Sequence, residues 1–181
     1  MNGPYAVRCM LAALLLSTAS RLAATTTSTP APTNKPPNID IAVSKGKQTT
    51  ESYGVVKQNM SFSVIIKNKE PSKAFNSLSA RLYVFGKAIG SGSYILLDRS
   101  TNVTFNLPVN GKFNFSGEPF WCRNDSQDWG TKYEGYGVVV RDAEGNTLVT
   151  KTTKEGLLKN PKKLDDFSIR GTTFTLKSLA E

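Results

Sequence analysis

From Asn38 onward, apolar and polar residues alternate along most of the chain with a period of two. "NIDIAVS" sets Ile39, Ile41 and Val43 against polar neighbours, "MSFSVIIKN" puts Phe62, Val64 and Ile66 on one face, and "TNVTFNLP" repeats the pattern with Val103, Phe105 and Leu107. Successive strand side chains point to opposite faces, so this spacing predicts half-buried β-strands. "LSARLYVFG" carries Leu78, Ala80, Leu82 and Val84 on one face and Arg81, Tyr83 and Phe85 on the other. "SYILLDR" is short and nearly all apolar, and "KFNFS" supplies Phe113 and Phe115. Clusters of Gly, Asn, Ser and Pro lie between these segments, the spacing of a sandwich or barrel. The expected body is all-β, a single immunoglobulin-like antiparallel sandwich of about eight strands in two layers around one core, over residues 38–181.

Two later stretches refine that picture. "GYGVVVRD", "AEGN" and "TLVTKTT" read as a β-hairpin with a four-residue or similar loop, placed near the centre of one sheet by Val138, Val139 and Val140. "KEGLLKNPKKLDDF" breaks the alternation; Leu157, Leu158 and Leu164 suit one face of a short helical turn that Pro161 limits. The closing run "FSIRGTTFTLKSL" alternates again through Phe174 and Leu176, as a last strand or a tail. No repeat of 20–50 residues is visible, which argues against a solenoid or propeller.

The segment ahead of Asn38 adds a destination. "MNGPYAVR" followed by "CMLAALLLSTA" has the basic start and apolar run of a secretory signal, with cleavage expected after Ala19 or Ala24. The run is short of the roughly 20 apolar residues of a membrane span. Residues 1–24 are therefore read as a signal peptide, and 25–37, "TTTSTPAPTNKPP", as a disordered Thr/Pro-rich linker too polar to support a core. The mature protein is expected to be secreted or periplasmic, with no transmembrane segment after cleavage.

Charge and composition then narrow the chemistry. Loss of residues 1–24 removes Arg8, Arg21 and no acid, lowering the formal charge of +9 by two and leaving a basic protein. This balance attracts anionic glycans, envelopes or nucleic acid without specifying one. "KNPKK", residues 159–163, is the densest basic cluster, but it lacks the framework of a nucleic-acid module and reads as a solvated face. Cys9 leaves with the signal, so Cys122 is the one remaining thiol and no internal disulfide forms; a buried thiol is the commonest outcome. With no histidine in the chain, Cys–His and Ser–His–Asp catalysis are excluded.

"PFWCRNDSQDWG", residues 119–130, crowds the residues most suited to chemistry. Arg123 beside Cys122 suggests an activated thiol, yet neighbouring strand residues face opposite ways and no base is at hand. Asp125, Ser126 and Asp128 have the flavour of a calcium loop without meeting its pattern. Trp121, in a strand, is expected in the core. Trp129, next to Gly130, is the better exposed platform for a sugar. The candidate contact residues are Trp129, Asp125, Asp128 and Tyr133, in a loop spanning 123–133; no catalytic, cofactor or metal residue is assigned. Asn59, Asn102, Asn114 and Asn124 begin Asn-x-Ser/Thr triplets, against about two or three expected by chance in so Ser/Thr-rich a chain, which makes them weak evidence of glycosylation.

In "KYEGYGVVVRDAEGNTLVTKTT" the pattern Tyr–x–x–Tyr–x–Val–x–Val, then Asp–x–x–Gly and a Lys-containing return strand, resembles a group of small exported, functionally uncharacterised proteins of Verrucomicrobia-type bacteria. That group has an immunoglobulin-like or fibronectin type III-like sandwich. "NIDIAVSKGKQ", "FSVIIKNKE" and "ARLYVFG" fit the same arrangement, so the resemblance covers roughly residues 38–160. The chain lacks the paired cysteines of antibody-type domains. The resemblance implies a fold and no catalytic residues. The expected function is a non-catalytic binding or adhesion module whose sandwich loops meet an extracellular or envelope protein or a glycan, and not nucleic acid. The alternatives are a carboxylate-based enzyme such as a glycoside hydrolase, with two acids about 5–10 Å apart, and a structural envelope protein that self-associates through Cys122 or an unpaired edge strand.

Overall fold

The computed structural model describes residues 36–125 and 129–181. The predicted signal, most of the linker and Asp128 lie outside them. Among the described residues the strands are β1 (Ile39–Ser52), β2 (Val55–Asn68), β3 (Phe75–Ala88), β4 (Tyr94–Arg99), β5 (Val103–Leu107), β6 (Lys112–Ser116), β7 (Phe120–Asp125), β8 (Thr131–Arg141), β9 (Thr147–Thr152) and β10 (Thr173–Phe174). Two five-residue helices, α1 (Pro161–Asp165) and α2 (Leu176–Ala180), complete the chain.

All pairings are antiparallel and form two sheets. In the first, β1 pairs with one edge of β2, while β7 and β6 share the other edge end to end. In the second, the order is β10–β4–β3–β8–β9, and β5 pairs with β3 beyond β4. The inward residues interdigitate between the sheets: Ile39, Ile41, Met60, Phe62, Val64, Ile66, Phe115 and Phe120 from the first, and Leu78, Ala80, Leu82, Val84, Leu97, Phe105, Leu107, Val138 and Val140 from the second. Apart from Ala80, burying each such side chain contributes about 1.5–3 kcal/mol. The alternation read from the sequence selects these faces correctly.

The first hairpin is longer than the sequence pattern predicts. Ser52 pairs with Val55, so Tyr53 and Gly54 form a two-residue turn with φ of 51° and 73°. Positive φ at both positions gives the primed turn whose twist matches that of the strands, and Gly54 adopts it without steric cost. The distal half of β1 is exposed and polar although Lys45 and Lys47 pair with the core residues Phe62 and Met60; it is the sheet edge, held by its ladder to β2.

A second core corrects the expectation of two layers around one core. The outer face of the second sheet presents Tyr83, Phe85, Tyr94, Leu96 and Val139, and the C-terminal segment lays Leu157, Leu158, Leu164, Phe174 and Leu179 over it. This cover explains why β3, β4 and the Val138–Val140 run are apolar on both faces. Pro161 opens α1 instead of breaking it, because a proline at the first helical position forfeits no intrahelical donor. Asn160 accepts from the Lys163 backbone, and Thr175 and Ser178 form a reciprocal capping box at α2. Asp165 fastens the segment through Arg81 at 2.6 Å, Arg141 at 2.9 Å and the Tyr83 hydroxyl at 2.6 Å. The Arg170 backbone N–H donates to Leu96 at 2.7 Å.

Three further expectations shift. About eight strands become ten among the described residues, because β7 is separate from β6 and the closing run contributes the two-residue β10 before turning into α2. Of the predicted hairpin, β8 is central but β9 forms the sheet edge. Its loop spans 142–146, with the Asp142 carboxylate accepting from the Asn146 backbone at 2.7 Å.

Candidate functional site

β7 keeps strict alternation: Phe120, Cys122 and Asn124 are buried, while Trp121 and Arg123 are exposed. Trp121 is therefore not a core residue, contrary to the sequence expectation; it projects from the outer face of the first sheet, 46% exposed. Cys122 lies between the sheets, its Sγ 3.7 Å from Gln58 Oε1, and burial pushes its thiol up from the ordinary value. A raised, enclosed thiol is a poor nucleophile and cannot meet a second copy while the protein is folded.

The outer face of the first sheet carries a groove of about 420 Å³. Thr50 and Ser52 of β1, Tyr53 of the turn, Val55 and Lys57 of β2, and Trp121 and Arg123 of β7 line it. These positions converge through register: Thr50 pairs with Lys57, and Lys57 with Arg123. Lys57 Nζ sits 5.3 Å and the Arg170 guanidinium 5.0 Å from the Trp121 ring centre, and the Arg123 guanidinium sits 5.2 Å from that of Trp129. Cation–π contacts of this kind contribute about 0.5–1 kcal/mol each at exposed sites. They also hold long, flexible cations in place. Among the described residues the ion pairs are Arg81–Asp165, Arg141–Asp165 and Lys154–Glu134, so Lys57, Arg123 and Arg170 take part in none of them.

The described residues singled out from sequence occupy different settings. Trp129 stays at the surface, beside Arg123. Asp125 pairs through its backbone with Val55 at the end of β7, and Asp128 lies outside the described residues. Tyr133 is in β8 and not in a loop. It is half-buried against Phe62, with Lys45 Nζ 4.8 Å from its ring centre, and burial pushes its hydroxyl up to about 12. Asn59 and Asn114 are exposed on the outer face of the first sheet and Asn102 is exposed elsewhere, whereas Asn124 is buried. Among the described residues no three His, Cys, Asp or Glu side chains gather as a metal site.

A second depression, about 560 Å³, lies at the opposite sheet and contains Asp142 and Asp165. Burial tends to raise both carboxyls, but hydrogen bonds outweigh it: Asn146 and turn N–H groups hold Asp142 below the usual range, and Tyr83, Arg81 and the nearby Arg141 charge do the same for Asp165. Asp98 shifts upward through burial, with Glu118 adding to the effect, but it lines neither depression.

No protein-family model matches the chain, and no curated protein matches it. Among solved structures, a protein from Akkermansia muciniphila is 16% identical with a TM-score of 0.28, covering 75% of this chain and 80% of that one. A Northeast Structural Genomics Consortium target is 12% identical with a TM-score of 0.31, covering 66% and 89%. At these scores the likeness carries no argument, and the two-sheet, all-β architecture rests on the strand pairings themselves.

Proposed function

We propose that this chain is a non-catalytic binding or adhesion module, exported by the signal in residues 1–24, freed on the linker 25–37 and acting in the secreted or periplasmic space. The order β1–β2–β6 in one sheet and β4–β3–β8–β9 in the other supports an immunoglobulin-like Greek key, matching the A–B–E and C′–C–F–G arrangement. One observation carries the functional reading: the outer face of the second sheet is covered by the C-terminal segment, whereas among the described residues no segment covers that of the first, which bears a groove with ring-held cations. The contact surface thereby moves from the loop 123–133 to the sheet face, with Trp121, Arg123 and Lys57 at its centre and Trp129 at its rim.

A glycoside hydrolase is the weaker alternative. Its general acid needs a raised carboxyl facing a second acid across a cleft, while the carboxyls lining the larger depression are held low. Self-association through Cys122 has no exposed thiol to use, although among the described residues the outer edge of β1 carries no partner strand. The test is a binding screen of the purified protein against immobilised polysaccharides and envelope fractions, alongside Trp121→Ala and Trp129→Ala. Binding lost in Trp121→Ala, with unchanged thermal stability, is expected. Binding retained in full by Trp121→Ala removes the sheet face from consideration.

A further inference from the structure

The first sheet's outer face contains an arrangement that stability does not explain. Lys57 and Arg123 stand directly opposite each other across the β2–β7 ladder, and Lys67 and Lys112 do so across the β2–β6 ladder. Like charges facing each other on adjacent strands are destabilising. Positions 57 and 67 differ by an even number, so both pairs point to the same side of β2. At 3.3 Å per residue they are about 33 Å apart along the strand. Asp40 faces Lys67 from β1 but makes no ion pair with it, while Thr50 is the β1 neighbour of Lys57. Between the pairs, β2 presents Asn59, Ser61 and Ser63, hydroxyl and amide groups without charge, and then the half-buried Ile65 beside Lys67. Shallow depressions mark the run, about 420 Å³ at the Lys57 end, 450 Å³ by Asn59 and Ser61, and 320 Å³ by Lys67 and Lys112.

We propose that this face binds a linear anionic polysaccharide, sulfated or uronate-bearing, laid along β2 with its charges against the Lys57/Arg123 and Lys67/Lys112 pairs and its hydroxyls on the polar row between. The proposal rests on the binding-module reading and names its ligand class. A charged polymer offsets the opposition that each pair suffers in the free protein, which accounts for keeping both. The aromatic rings favour a polysaccharide over single-stranded nucleic acid. Nucleic-acid grooves stack bases on open ring faces, whereas the Trp121 and Trp129 rings here hold Lys57, Arg170 and Arg123 over them. Arg170 also donates to the Leu97 and Trp121 carbonyls, so the Lys57 and Arg123 cations, pre-positioned by the rings, are the recognition elements.

The test measures affinity of the full chain for dextran sulfate, uncharged dextran of the same length and an oligothymidylate of matched charge, at two salt concentrations. Three charge-matched double variants accompany it: Lys57→Gln/Arg123→Gln, Lys67→Gln/Lys112→Gln, and Lys159→Gln/Lys162→Gln on the opposite side of the sandwich. The expected result is salt-sensitive binding of dextran sulfate, weakened about tenfold or more by the first variant and several-fold by the second, and unchanged by the third. Melting temperatures should be essentially those of the parent, since relieved opposition and lost ring contacts offset each other. Equal weakening by all three variants overturns the proposal, because net charge alone then explains binding. Equal or tighter binding of the oligothymidylate overturns it in favour of nucleic acid. Uncharged dextran bound as well as dextran sulfate, and lost in Trp121→Ala, overturns the anionic ligand while leaving the sheet face as a binding surface. No binding of any probe overturns the ligand class and leaves the screen with Trp121→Ala to judge the face.

Discussion

Removing one charge at Asp165 tests whether the C-terminal segment is an integral layer of the fold. Its carboxylate is the shared partner of Arg81, Arg141 and the Tyr83 hydroxyl, with side-chain exposures of 26% for Asp165, 23% for Arg81 and 11% for Arg141. Asp165→Asn keeps the shape and strands two guanidiniums without a counter-charge. Breaking a fully buried pair costs about 3–5 kcal/mol and an exposed one about 0–1 kcal/mol. This intermediate burial places the loss at about 2–4 kcal/mol, or roughly 5–15 °C in melting temperature for a chain of this size. Urea unfolding followed by circular dichroism and tryptophan fluorescence measures it. Adding Arg141→Gln to Asp165→Asn should recover part of the loss, because one stranded charge is then gone. The folded carboxyl is held below its ordinary value, so its stabilisation is present above about pH 3.9 and is lost as pH falls through the lowered folded value. The gap between parent and variant should therefore close only in strong acid. A variant within about 0.5 kcal/mol of the parent at neutral pH refutes the reasoning, since surface substitutions remote from any network behave that way.

Three further outcomes probe other parts of the fold. Phe174→Ala, which empties the space against Phe85, Tyr94 and Phe167, should cost about 3–5 kcal/mol in urea unfolding; a loss under about 1 kcal/mol would mean that the second core is not packed as described. Cys122 should react with a thiol reagent at neutral pH at a rate that follows urea unfolding, and prompt labelling of the native protein contradicts its burial. Gly130→Ala should destabilise by at least about 2 kcal/mol, because φ there is 98° and a Cβ would meet the Arg123 carbonyl oxygen and the Asn124 Cα; a neutral effect by calorimetry counts against the bridge that closes this loop.

Period-two patterning revealed the inner faces because a strand half in oil and half in water must alternate. It also contained the information that Phe85 and Val139 are buried, since β3 and β8 are apolar on both sides and an apolar outer face requires a cover. The chain had few candidates for that cover, and Leu157, Leu158 and Leu164 were already noted as one apolar face. What the pattern could not supply is the Asp165 network, which depends on three distant residues meeting. The distal half of β1 was invisible for the opposite reason: "KGKQTTES" is an exposed edge that pairs with β2 through its backbone, so nothing amphipathic marks it. Trp121 was misplaced by weighing residue type above phase. With Phe120 and Cys122 on alternate positions, the same alternation that located the inner faces of β2 and β5 puts Trp121 outward with Arg123. The candidate site was legible only as residues, because what gives Lys57 and Arg123 meaning is their opposition across a long-range ladder, and register between strands far apart in sequence is set by the packed core rather than by either segment. A polar position that looks solvated in one strand becomes informative once its neighbour carries the same charge, which is why the recognition surface emerges at the level of pairing and not of composition.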